Sequence, residues 1–201
     1  MDGLTGTTGQ ASQTGNHRCE TATRLVEEDE STSKGRLTFG TQFIAMLKKI
    51  DTALIVDCFK KAKQSPRKRS HFNLHEKLEA PVQRLCIAFV EGTYVRPHRH
   101  PASNKWELLI AVQDSSLLVI FDENGGISEH FELSPNGPMS AIEIPPNTWH
   151  TIFPADKESV VMEIKEGPYT PSKPEHFAPW SPEEGSPDAD AYLRQIQSSI
   201  Q

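Results

Sequence analysis

The chain is predicted to be mainly β, a double-sheet jelly-roll barrel, entered through N-terminal helices and followed by a short C-terminal helix. Three observations carry that prediction. From Val82 onward, short β-rich runs alternate with Gly, Asn, Asp and Pro; before them an apolar pattern keeps the helical period; and histidines paired at i, i+2 recur with a third, distant histidine, as a closed barrel permits.

Residues 1–35 carry Gly, Thr, Ser, Gln and Glu with few large apolar side chains. Such a segment buries too little surface to offset ordering entropy, so a disordered tail is expected, with His17 and Cys19 in solvent. Residues 36–70 form an N-terminal helical segment. Phe43, Met46, Leu47, Ile50, Leu54, Ile55 and Phe59 recur three and four apart, which reads as two helices or one interrupted helix. The run Ser65-Pro-Arg-Lys-Arg-Ser70 breaks the pattern and reads as a solvated turn, or as a dock for an anionic group.

The barrel is expected over 71–166. Its strands are Val82–Val90, Trp106–Val112, Ser116–Phe121, Ile127–Leu133, Ala141–Ile144, Thr148–Phe153 and Val160–Ile164. Asp122-Glu-Asn-Gly-Gly126 is a hairpin turn, since Asn and Gly accept positive φ, and it is expected to be a simple connection remote from any site. Residues 167–201 begin with a proline-rich strap packed on the barrel and end in a short helix marked by Ala191, Tyr192, Ile196 and Ile200. No internal repeat and no second domain is visible.

Within this frame one constellation carries chemistry. His98 and His100 share a face of an extended chain about 6.6 Å apart. Glu107 opens the next apolar run, and His150, from a different hairpin, completes three imidazoles and one carboxylate. Such a set favours one divalent transition metal, Fe, Mn, Ni, Cu or Zn, over Ca or Mg. On six-coordinate metal it leaves two positions for water or substrate, which admits dioxygenase chemistry with a redox metal, or isomerisation or hydrolysis with a Lewis acid. No residue outside the ligand set is clearly placed as acid or base.

The same stretch resembles the two cupin motifs. Gly92, His98, His100 and Glu107 match the first, with Asp114 in the place of its last glycine and a longer gap between His100 and Glu107. Pro145 and His150 match the second, with Asn147 in place of glycine and Pro154 in place of asparagine. A closer resemblance is to WbuC-type cupin fold metalloproteins. It rests on Asn73-Leu-His75, Gln83-Arg84-Leu85, Tyr94-Val-Arg96-Pro-His98-Arg-His100-Pro and Lys105-Trp-Glu107. It continues through Ile144-Pro-Pro, Trp149-His150-Thr151, Glu163-x-Lys165-x-Gly167-Pro-Tyr169 and Phe177-Ala-x-Trp180-x-Pro-Glu183-Glu184. The resemblance spans roughly residues 40–195. It implies a metal-binding cupin barrel, a double-stranded β-helix, and, through the surface-polysaccharide gene clusters behind the family name, a sugar or nucleotide-sugar substrate.

Around the metal, Tyr94 is expected to share the face of His98 and His100. Arg84 and Arg96 are candidates for an anionic ligand or for pairing with Glu163, and Lys165 shares a strand face with Glu163. Trp106 and Trp149 should pack outside the ligand layer, since adjacent strand residues point opposite ways. The role of Asn73 and His75 does not follow from their residue types.

The 201 residues carry a formal charge of −6 and a sequence pI of about 5.8, which gives nucleic acid and anionic membrane no electrostatic footing. Neither a membrane-length apolar run nor a secretory signal is apparent. Cys19, Cys58 and Cys86 form no Cys-x-x-Cys pair, which fits a reducing cytoplasm. The expected function is a metal-dependent enzyme on a small molecule, with a non-enzymatic metal or ligand-binding module as the alternative. A homodimer through barrel edges is compatible with either.

Overall fold

A computed structural model describes residues 47–200. The expected tail over 1–35, with His17 and Cys19, and the part of the helical pattern containing Phe43 and Met46 lie outside them. Helix α1 spans Thr52–Gln64 and starts where Asp51 Oδ1 accepts from the Leu54 N–H at 3.0 Å, an N-cap. It ends at Ser65, whose next residue is Pro66. Leu47 is exposed and residues 47–51 are not helical, so the helical pattern does not run continuously through that stretch.

Eight strands follow: β1 Arg69–Asn73, β2 Val82–Val90, β3 Glu107–Gln113, β4 Ser116–Phe121, β5 Ile127–Leu133, β6 Ala141–Ile144, β7 Trp149–Pro154 and β8 Glu158–Glu166. A 3-10 turn at Pro174–His176 and helix α2, Ala189–Ser199, complete the order. The strands form a five-stranded antiparallel sheet, β1-β2-β8-β3-β6, and a three-stranded one, β5-β4-β7. This is the expected mainly β double-sheet jelly roll, with one strand, β1, where the sequence reads a basic turn.

Three apolar layers explain the sequence. The inner faces of both sheets meet at Leu85, Ile87, Phe89, Leu109, Leu118 and Ile152. Outside the larger sheet, Cys58, Phe59 and Ala62 of α1 pack on Cys86, Ala88 and Val90. Strand β2 is therefore covered on both faces, which is why it reads as a nearly continuous apolar run. Outside the smaller sheet, Leu193 and Ile196 of α2 pack on Val119, Phe121, Trp149 and Phe153. Cys58 and Cys86 are free thiols in the α1 layer, and burial pushes the Cys86 thiol up to about 11. No helix among the described residues is long and apolar enough to cross a membrane.

Asp114 and Asn147 have φ of 53° and 63°. They stand where the cupin motifs have glycine, and Asn and Asp are the side chains that enter the left-handed region most readily. Asn147→Ala is expected to destabilise the protein by about 1 kcal/mol and Asn147→Gly to be close to neutral. Thermal melts of the two variants check this ordering.

Candidate metal centre

The segment bearing His98 and His100 is not a long strand; it is held from two sides. His98 exchanges both backbone hydrogen bonds with His150 of β7, each 3.0 Å, and the Asn147 N–H donates to the His100 carbonyl at 2.8 Å. On its other side, His98 bridges Phe177 of the strap, with the Arg99 N–H donating to the His176 carbonyl at 2.9 Å and the Ala178 N–H to that of Pro97 at 2.9 Å. These ties bring two sequence-distant segments into register. Glu107 projects inward from the first position of β3, and His150 inward from β7.

One ligand atom from each of His98, His100, Glu107 and His150 can be chosen so that all lie within 4.8 Å of one another. Metal–ligand bonds of about 2.0–2.2 Å place two donors at most about 4.4 Å apart on one ion, and about 3.0 Å apart at right angles. His100 Nε2 lies 3.0 Å from Glu107 Oε1, and His150 Nε2 lies 3.1 Å from Glu107 Oε2. The Nδ1 atoms of His98 and His150 face the carbonyls of Arg96 and Thr148 at 3.0 and 2.8 Å. A proton held there leaves Nε2 with its lone pair free, the tautomer a ligand needs. His100 Nε2 is buried and lacks hydrogen-bond geometry to any partner. The donor set and its orphaned nitrogen therefore fit a divalent metal.

The electrostatics follow from the packing. Burial, with His150 beside it, holds His98 well below the usual imidazole range. Burial acts the same way on His150, but contact with the Glu107 carboxylate overcomes it and raises that imidazole. Burial would raise Glu107 too, yet Lys165 and the imidazoles hold it well below the usual carboxylate range. Protons therefore compete with metal at His150 before they do at His98. The apparent metal Kd is expected to rise by about tenfold per pH unit once pH drops below the raised value of His150. Metal titrations at pH 8, 7 and 6 check this, and a flat profile would exclude His150 as a ligand.

Lys165 sits opposite Glu107 across the β3–β8 register and opposite Gln83 across β2–β8. Its Nζ lies 2.9 Å from Glu107 Oε1 and 2.6 Å from Glu163 Oε1. The partner of Glu163 is therefore Lys165 on its own strand, not Arg84 or Arg96. Burial and the neighbouring Glu107 raise the Glu163 carboxyl.

These groups line a cavity of about 500 Å³. The other expected site residues are placed differently. Tyr94 packs in the α2 layer, edge-on to Tyr192, and donates to the Pro182 carbonyl at 2.9 Å, so it does not share the cavity with the histidines. The chain before Pro97 is not a regular strand, and parity counted from His98 fails there. Arg84 is exposed, between the inward-facing Gln83 and Leu85. Arg96 does border the cavity, but its guanidinium is engaged by Ser181 Oγ, the Ala178 carbonyl and the Phe177 ring.

Trp149 packs outside the ligand layer against Trp180. Its indole N–H donates to Glu123 at 3.0 Å, and Arg99 lies over its ring while bonding the same carboxylate. Glu123 belongs to the hairpin expected to be a remote connection. That turn instead braces neighbours of His98, His100 and His150. Trp106 lines a smaller cavity of about 170 Å³ that shares His100, Glu107 and Lys165 with the larger one.

Sequence reasoning missed the cavity wall supplied by β1, where Arg69, His71 and Asn73 face inward. The available signal was their period-two spacing through Ser70 and Phe72. The basic run is neither a free turn nor an open anion dock. Arg67 and Arg69 bond Glu184 of the strap at 2.8 and 2.6 Å.

A family model described as a domain of unknown function, DUF6016, matches residues 50–133. No curated protein matches the chain. Among solved structures it is similar to a cupin superfamily protein from Desulfitobacterium hafniense DCB-2, at 15% identity over 49% of this chain and 76% of that one, with a TM-score of 0.38. It is similar to KdgF from Halomonas sp. at 19% identity, over 51% and 82% of the two chains, with a TM-score of 0.39. A cupin-like protein from Thermotoga maritima gives 23% identity, 49% and 68% coverage and a TM-score of 0.38. The chain is thus similar to cupin-superfamily proteins over about half of its length.

Proposed function

We propose that this chain is a metal-dependent enzyme of the WbuC cupin type, acting on a small polar substrate of sugar or nucleotide-sugar character in surface-polysaccharide metabolism. The observation that carries the catalytic part is the position of His98, His100, Glu107 and His150 on the wall of a cavity of about 500 Å³. A structural metal is closed off by protein, whereas a catalytic one keeps positions open to a pocket of roughly 300–1,000 Å³. When bound, the metal would supply Lewis acidity or redox chemistry. Lys165 and Glu163 would then hold charge and protons beside it. The sugar and polysaccharide assignment is supported by the WbuC motifs alone.

A second reading, a non-enzymatic metal or ligand-binding module, is favoured by one observation. Lys165 is locked between Glu107 and Glu163 and is not a free acid or base. The test is elemental analysis of protein purified anaerobically without added metal or chelator, followed by water-proton relaxation of the Mn(II)-loaded form. Near-stoichiometric metal with rapidly exchanging bound water is the enzyme result. Metal without exchangeable water supports the module, and absence of metal after reconstitution would sink the enzyme and leave a metal-free ligand-binding module.

A further inference from the structure

The cavity has a second chemistry on the inner face of β1. Ser70 turns outward to donate to the Cys58 carbonyl and Phe72 packs in the α1 layer, so His71 and Asn73 face the cavity. Neither makes a side-chain hydrogen bond among the described residues. Just beyond the strand, His75 also lines the cavity and is 5% exposed. Its Nδ1 is taken up by the Arg84 backbone, 3.0 Å from the carbonyl and 3.1 Å from the N–H, which leaves Nε2 as the ring's free polar atom. That Nε2 is buried and has no partner. A buried polar nitrogen without a partner is costly to leave bare, so it is a place for a ligand hydroxyl, which can both donate and accept.

Charge defines what the ligand brings. Arg67 and Arg69 are matched by Glu184, Lys165 by Glu107 and Glu163, and Arg96 faces Glu183. A dication added to this nearly balanced set makes the metal end of the cavity net positive. On that wall Asn73 carries no charge, His71 is neutral near pH 7 because desolvation on the cavity side and then Arg69 push it down to about 4, and Arg69 itself is paired with Glu184.

Resting on the metal reading above, we propose that His71, Asn73 and His75 recognise the hydroxyl- or carbonyl-bearing end of a small hydroxy acid whose carboxylate end sits at the four-ligand cluster. The wall selects length and hydroxylation; the metal end selects charge.

The test is calorimetric titration of Zn(II)-loaded protein with gluconate and with glycolate, which has the same head group and no tail to reach β1. Wild type should bind gluconate at least about 10-fold more tightly than glycolate. Asn73→Ala and His71→Ala should each remove about 5-fold of gluconate affinity, while glycolate affinity and metal per chain stay unchanged. His75 supports the Arg84 N–H, so it is followed without mutation. Its imidazole Nε2 nitrogen NMR signal should shift with gluconate and not with glycolate.

Equal affinity for the two acids, unchanged gluconate affinity in the variants, or equal weakening of both probes would overturn the wall. Protein that holds no metal yet keeps a wall-dependent preference for gluconate would retain the wall and remove the metal reading. Protein that holds metal without any preference would do the reverse.

Discussion

His98→Ala protein is expected to fold and to purify with only trace metal, its affinity for a divalent ion reduced by roughly 100-fold or more. Loss of a residue that merely orients a ligand costs about 10–100-fold, and loss of the ligand itself costs at least that. The backbone bonds of His98 to His150, and those of Pro97 and Arg99 to the strap, do not involve the imidazole, so alanine leaves them in place. Burial already keeps that ring neutral in the metal-free protein, so no charge pair is broken. The check is metal per chain by elemental analysis beside a thermal melt. Wild-type metal content in the variant would remove His98 from the ligand set, and collapse of the melt would turn the comparison to His98→Gln.

Glu184→Ala should be the most destabilising single change outside the apolar layers, by about 2–4 kcal/mol. Glu184 Oε1 lies 2.6 Å from Arg69, whose side chain is only 6% exposed, and Oε2 bonds Arg67 at 2.8 Å. Without it Arg69 keeps only the Tyr94 carbonyl, and a buried charge that loses its partner carries the full cost of its desolvation. The exposed Arg67 adds little. For a domain of this size the loss corresponds to roughly 5–10 °C in Tm.

The effect has a definite pH sign. Burial would raise the Glu184 carboxyl, but Arg67 and Arg69 hold it below its ordinary value of 4.5. Its contribution is therefore complete above about 4.5 and is lost as pH falls through the lower folded value. The Tm gap between wild type and variant should be constant near neutrality and close in acid. A gap that widens in acid would contradict the pairing.

Much of the fold was legible because burial writes itself into periodicity. Strands β2, β4, β5 and β6 run over the residues read from their apolar pattern, and Asp122–Gly126 turns with Gly125, though not Asn124, at positive φ. Strand β1 leaves only a faint trace, the alternation of Ser70 and Phe72 with Arg69, His71 and Asn73, since its inner residues face a polar cavity and are not apolar. Four chemically distinctive side chains, His98, His100, Glu107 and His150, stood out by residue type, and the fold brings them together. Residues around them could be assigned only by counting parity. That places Glu163 and Lys165 inside, in regular β8, and misplaces Tyr94, which precedes an irregular stretch. Arg84 was proposed from its motif and charge, although its inward-facing neighbours give it the opposite parity.

Strand β1 lies at the edge of its sheet, hydrogen-bonded to β2 alone, whereas β8 and β3 are each held between two neighbours. Edge elements open locally at lower free energy than central ones. The cavity consequently joins a stiff floor, bearing Glu107, Glu163 and Lys165, to a wall five residues long that can breathe without disturbing the floor. Amide exchange in Arg69–Asn73 should outpace that in β8, and occupancy of the cavity would be recorded there as slowed exchange. The compliant side of this molecule and its means of telling one ligand from another are the same short strand.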